Sequence, residues 1–238
     1  MGLALEVGIL ADLKDADEEG YASYVDAFEK LRTVLRSVGL EEHVEPDEVD
    51  DIFSCDMLGY SGIHYLRRIA AHLAFDRPIP APGSQETYKN VVLNEAYYES
   101  FDAGKDMKFQ HLMVHSDAEG FYVPIDFERV ITTPPTLRLS GRWLGSTQRL
   151  QAECAELAGL LGMPLDLDYE SRELSRAADA QLHPHSQPPR RLWPWERGGT
   201  KHSGDLTWEQ YAVETYACLR LLAASEVSLR AKAAIVFC

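Results

Sequence analysis

Positive charge is in short supply. The chain carries 23 lysines and arginines against 38 aspartates and glutamates over 238 residues, a formal net charge of −15. A surface this negative repels phosphate backbones and anionic lipid headgroups. The partner expected from charge alone is a basic protein, with nucleic acid and membrane excluded; solubility is the simpler account of the charge. Cysteine is scarce too. Cys55, Cys154, Cys218 and Cys238 form no CxxC pair, which argues against a zinc ribbon or a thioredoxin-type site. No apolar run approaches the roughly 20 residues of a membrane-spanning helix. The opening residues lack a basic leader and a cleavage site, and Glu6 breaks the N-myristoylation pattern that Gly2 begins. A reduced cytoplasm is the expected location. Also missing are HExxH, GxxxxGK[ST] and GxSxG motifs and any repeat of about 20 to 50 residues. No cofactor is implied.

What is present is ordinary globular material: 45% hydrophobic and 26% charged residues, enough to bury a core without staples. Leu3 to Leu10 reads as a strand with Leu3, Leu5, Val7 and Ile9 on one face, interrupted by Gly8. The acidic stretch 15–19 opens a helix in which Tyr21, Tyr24, Val25, Phe28, Leu31, Leu35 and Val38 share a face, and Gly39 ends it. Residues 41–51 form an acidic loop. Residues 61–75 read as a helix and 76–84, with three prolines, as a loop. Residues 90–101 fit a strand or a short helix, with helix preferred. Phe109 to His115 and Phe121 to Phe127 predict two strands of a hairpin joined by residues 116–120. Residues 130–133 suggest a short strand. Ser146 caps a helix over 147–161 that Gly162 and Pro164 stop, and 171–182 predicts another. The Pro- and Trp-rich segment 183–204 reads as a basic loop. A capping box at Thr207 to Gln210 predicts a last helix burying Trp208, Tyr211, Ala212, Leu219 and Leu222. Residues 233–238 suit a final strand or the helix end. The strands cluster rather than alternate with helices. The predicted fold is therefore α+β, a small mainly antiparallel sheet with helices packed on one side, in a single domain over residues 1–238.

Four constellations could carry chemistry. The hairpin would gather His111, His115, Tyr122 and Asp126 on one face, with Asp117 and Glu119 at its turn. Imidazole beside carboxylate can bind a divalent metal or shuttle a proton. Yet His111 and His115 are four strand residues apart, about 13 Å, too far for one metal, and a solvated hairpin face is the simpler reading. His64, Arg68 and His72 form a stripe at helical spacing, suited to an anion or to pairing with acids elsewhere, and Arg67 beside them could be buried against a carboxylate. Ser146 to Arg149 after Gly145 could seat an anion at a helix start, although Ser146 is already explained as a cap. Arg190, Arg191, Trp193, Trp195 and Arg197 fit an interface, or a loop folded back over the core.

The segments LEVGILADL, HYLRRIAAH, HSDAEGFYVPIDF, LGSTQRL and AIVFC, taken together from end to end, resemble a family of uncharacterised bacterial proteins of similar length. The resemblance implies a bacterial cytoplasmic protein and carries over no catalytic residues; the 183–204 segment is longer and more basic than the likeness would suggest. Two functions follow. The preferred one is a non-catalytic acidic protein-binding module, an immunity-type inhibitor or an adaptor. The alternative is a small metal-assisted hydrolase using the His and acid groups of the 111–126 hairpin.

Overall fold

The structure, a computed structural model, describes residues 3–82, 87–101, 107–116, 118–164, 166–183 and 206–238. Six strands form one open sheet: β1 (Ala4–Val7), β2 (Phe53–Asp56), β3 (Gly120–Val123), β4 (Ile131–Thr132), β5 (Trp143–Ser146) and β6 (Ile235–Phe237). Their order is β2-β1-β6-β3-β5-β4, antiparallel throughout except for the β3–β5 pair. The chain's last strand thus lies near the middle of the sheet, with Leu5 opposite Phe237 and Ile235 opposite Tyr122.

Alternation along the strands sends successive side chains to opposite faces. Leu5, Val7, Tyr122, Ile235 and Phe237 join a core with α3 (Gly59–Ala74), α4 (Val91–Phe101), α5 (Gln110–Met113), α6 (Thr147–Leu160) and α8 (Ala212–Ala231). Phe121, Val123, Leu144 and Val236 face the other way, onto α1 (Ile9–Leu13) and α2 (Glu18–Ser37). Most helices lie on one face, as the α+β reading expects, and α2 closes the second. α7 (Arg172–Leu182) packs on α8 through Leu174 and Ala178, beside Val213 and Tyr216. No helix among the described residues is long and apolar enough to cross a membrane.

Helix starts follow local chemistry. Asp17, Ser146 and Ser171 accept hydrogen bonds from the backbone N–H groups of Gly20, Arg149 and Leu174. The capping box at 207–210 does not form. Thr207 Oγ1 is buried without a hydrogen-bond partner, and α8 starts only at Ala212, where Gln181 Oε1 accepts from Val213 N at 3.2 Å. The first strand is cut short at Val7: Gly8 takes φ 91°, and Ile9 begins a helix. Segment 90–101 is helical from Val91, and the tail 233–238 contributes strand β6.

The largest correction is the hairpin. Phe109 has φ 60°, Gln110–Met113 make one helical turn, and β3 pairs with β6 and β5 rather than with its upstream neighbour. Seven residues of mixed apolar pattern fit a strand and a helical turn alike, and only the long-range partners decide. β2 and β5 were not foreseen either. β5 contains Gly145, where an added Cβ would sit 2.2 Å from the Tyr122 ring; the close packing of Tyr122 requires glycine there.

One ion pair is fully interior. Arg68 pairs with Glu214 at 3.0 Å, their side chains 1% and 0% exposed, and Gln181 also donates to Glu214. Removing one partner leaves an uncompensated buried charge, whereas removing both need not. Glu214→Ala should therefore cost about 3–5 kcal/mol in urea unfolding, and the double variant Arg68→Met/Glu214→Leu should recover most of it. On β1, Glu6 has its Oε1 buried without a partner. Burial first, then Asp12, pushes its pKa up to about 7 from 4.5. Between those values the folded state holds the extra proton, so its contribution to stability falls as pH rises through the window. Glu6→Gln should melt above the parent at pH 8 and close to it below pH 4.5.

Candidate functional site

The predicted polar cluster does not form a water-facing ribbon. His111, His115 and Tyr122 are buried, and their ring nitrogens and hydroxyl meet the main chain. Ser146 N donates to His111 Nδ1 at 2.9 Å, and His111 Nε2 donates to Glu128 O at 3.2 Å. Burial pushes its pKa down to about 4, so the ring is neutral at pH 7. His115 stacks on Tyr122 at 4.0 Å, with Ser116 O and Phe121 O facing its two nitrogens at 3.0 and 3.1 Å. The two carbonyls favour its proton, but burial outweighs them and holds its pKa near 4. The Tyr122 hydroxyl donates to His111 O at 2.8 Å. Glu119 and Asp126 are exposed, and Asp126 pairs with Arg149 at 2.6 Å. Asp117 lies outside the described residues, as do Arg190, Arg191, Trp193, Trp195 and Arg197.

The helical stripe is divided in the same way. His64 meets the Tyr97 hydroxyl at 2.8 Å. His72 donates from Nδ1 to Pro78 O and accepts from Asn90. Arg68 takes the carboxylate, while Arg67 binds the carbonyls of Leu112, His115 and Ser116 instead of the acid expected for it. Ser146 acts as a cap on α6. One group went unforeseen: Glu153 accepts from His111 N and Leu112 N at 3.0 and 2.7 Å, closing the start of α5, and burial lifts its pKa to about 7. Among the described residues, no three His, Cys, Asp or Glu side chains are grouped to hold a metal ion. Among the described residues, the arrangement on which the hydrolase alternative rests, a hairpin with converging imidazoles and acids, is therefore absent.

The surface tells a different story. Residues 1–56 hold 16 of the 38 acids and four of the 23 bases, twelve of the fifteen net negative charges. Asp12, Asp15, Asp17, Glu18 and Glu19 are exposed around the α1–α2 corner, and Glu41, Glu42, Asp47, Glu48, Asp50 and Asp51 along the 41–51 loop. Lys14 joins the two groups, 3.2 Å from both Asp47 and Glu48. Arg36 holds Glu42 at 2.8 Å, and Lys30 and Arg32 pair with Asp26 and Glu29 on α2. Among the described residues, Asp12, Asp15, Glu18, Glu19, Glu41, Asp50 and Asp51 have no cation paired to them.

This loop is pinned from beneath. His43 and Glu45 turn inward and are buried, with His43 Nε2 2.5 Å from Glu45 Oε2. The same oxygen accepts from Ala234 N at 2.8 Å, just before β6. The His43 ring packs edge-on against Phe28 of α2. The signal for this in the sequence is the alternation Glu42, His43, Val44, Glu45, which charge alone conceals. Beside the loop, a groove of about 520 Å³ runs between Glu48, Asp50 and Asp51 and the last turn of α8 at Val227 and Arg230.

No curated protein and no solved structure matches this chain. A family model does, over residues 1–237, and it corrects the expected partner. A basic partner fits such a family; what the match overturns is setting nucleic acid aside, because the family is defined by reference to DNA. Negative surface repels phosphate, and it is also what phosphate itself presents to a cationic protein. By that match, which spans all but the last residue, the chain belongs to the family described as "Putative DNA-mimic protein".

Proposed function

We propose that this protein is a non-catalytic binder of DNA-binding proteins, and that its α1–α2 corner and 41–51 loop occupy the surface those proteins use for DNA. The observation that carries this reading is the pinned acidic loop. A binder of cationic surfaces needs anions held at fixed positions, because ordering a loose loop on contact subtracts from affinity. Here the buried His43–Glu45 pair, with Glu45 also accepting from Ala234 N, fixes the loop before any partner arrives. The family match supplies the kind of partner.

Scale is consistent with this. From Glu18 to Glu29, α2 advances about 16 Å, the run of about five phosphates along one strand. The four local cations do not cancel this surface. Exposed ion pairs are worth about 0–1 kcal/mol, so a partner's arginines and lysines can displace them.

The test is capture by the immobilised full chain from an extract of its own cells. Captured proteins should be released by added DNA, and should be lost when Asp47, Glu48, Asp50 and Asp51 are changed together to Asn and Gln. Capture that DNA does not release would reject the reading. A second measurement addresses pinning. His43→Ala leaves every exposed carboxylate in place, yet it should speed amide exchange across 41–51 and weaken capture about threefold to tenfold, the worth of about 0.7–1.4 kcal/mol of lost preorganisation.

A further inference from the structure

Three large apolar side chains are exposed within the acidic region: Val38 at 51%, Val44 at 68% and Ile52 at 46%. Val44 is held outward, because its neighbours His43 and Glu45 are anchored inward. Ile52 directly follows Asp50 and Asp51, all three exposed. The outward sequence of the loop is therefore acid at 41–42, apolar at 44, acid at 47–48 and 50–51, and apolar at 52.

A duplex does not project apolar groups among its phosphates, since its thymine methyls lie recessed in the major groove. Its bases are stacked inside, and a protein following its backbone meets anions. A single strand offers phosphate and base together, and its binders combine a cationic groove with aromatic side chains on which bases stack. Charge mimicry of a duplex gives no reason to expose Val44 and Ile52 among carboxylates. Mimicry of a single strand does, since an aliphatic side chain can cover an aromatic platform while the acids meet the cations around it.

We infer that the partner's site is a groove for single-stranded nucleic acid, cations interleaved with aromatic side chains, and that Val44 and Ile52 take the place of bases. This rests on the DNA-mimic reading and narrows it. The test uses two labelled peptides of equal charge, four Arg-Trp repeats and four Arg-Gly repeats, titrated with the full chain. The Arg-Trp peptide should bind about tenfold tighter, the worth of one modest stacking contact. Val44→Ser/Ile52→Ser should abolish that preference and leave Arg-Gly binding unchanged. A second arm compares displacement of labelled oligo-thymidylate from an OB-fold single-strand-binding protein with displacement of a labelled duplex from a helix-turn-helix protein. The first should be the more efficient. Equal peptide affinities, a preference that survives the double variant, or the reverse displacement order would each overturn the inference and leave the broader reading standing. Failure to bind either peptide would remove both.

Discussion

One buried carboxylate connects the interior of this protein to its charged surface. Glu45 is held between His43 and the Ala234 backbone N–H, and Ala234 leads into the strand near the centre of the sheet. Burial raises its pKa, while the His43 and Ala234 contacts pull it back toward the charged form. Without that anchor, residues 41–51 would be a run of like charges whose repulsion favours spreading. With it, mutual repulsion is held in a fixed geometry. Loop position is tied to β6, so the acidic display depends on that strand taking its place between β1 and β3.

α2 serves the interior and the surface together. Phe28, Leu31, Val34 and Leu35 cover the second face of the sheet, while Glu18, Glu19, Asp26 and Glu29 point to solvent. Its start also suits its charge, because Asp17 caps the helix and Glu18 and Glu19 lie in the first turn, where the helix dipole favours anions. Carboxylates that favour the helix are therefore available for display at no cost to it.

Much of this was legible in the sequence. Helices with a cap and a sustained apolar stripe were found to within a few residues, because both signals are local. The strands were harder to place. β2 and β5 are four residues each, and nothing local distinguishes FSCD or WLGS from loop. Alternation along a strand assigns His111 and His115 to a polar, solvent-facing side. In the fold they are neutral core residues that satisfy carbonyl and amide groups around a single turn of helix. Buried imidazole and exposed imidazole look alike in one dimension, and only the long-range contacts with β5 and β6 separate them. The acidic composition was plain, but composition is silent on whether charges are scattered or pinned.

Pinning changes what negative charge can do. DNA arrives at a protein with condensed counterions, and their release drives binding, which therefore weakens steeply as salt rises. Carboxylates fixed on a folded scaffold carry a sparser counterion atmosphere, so less of their affinity derives from ion release. Apolar contact, such as Val44 and Ile52 offer, is not screened by salt in this way. A protein surface of this kind does not have to match DNA charge for charge in order to compete with it. It has only to lose less affinity than DNA does as salt rises toward physiological strength, which fewer released counterions and unscreened apolar contact both favour.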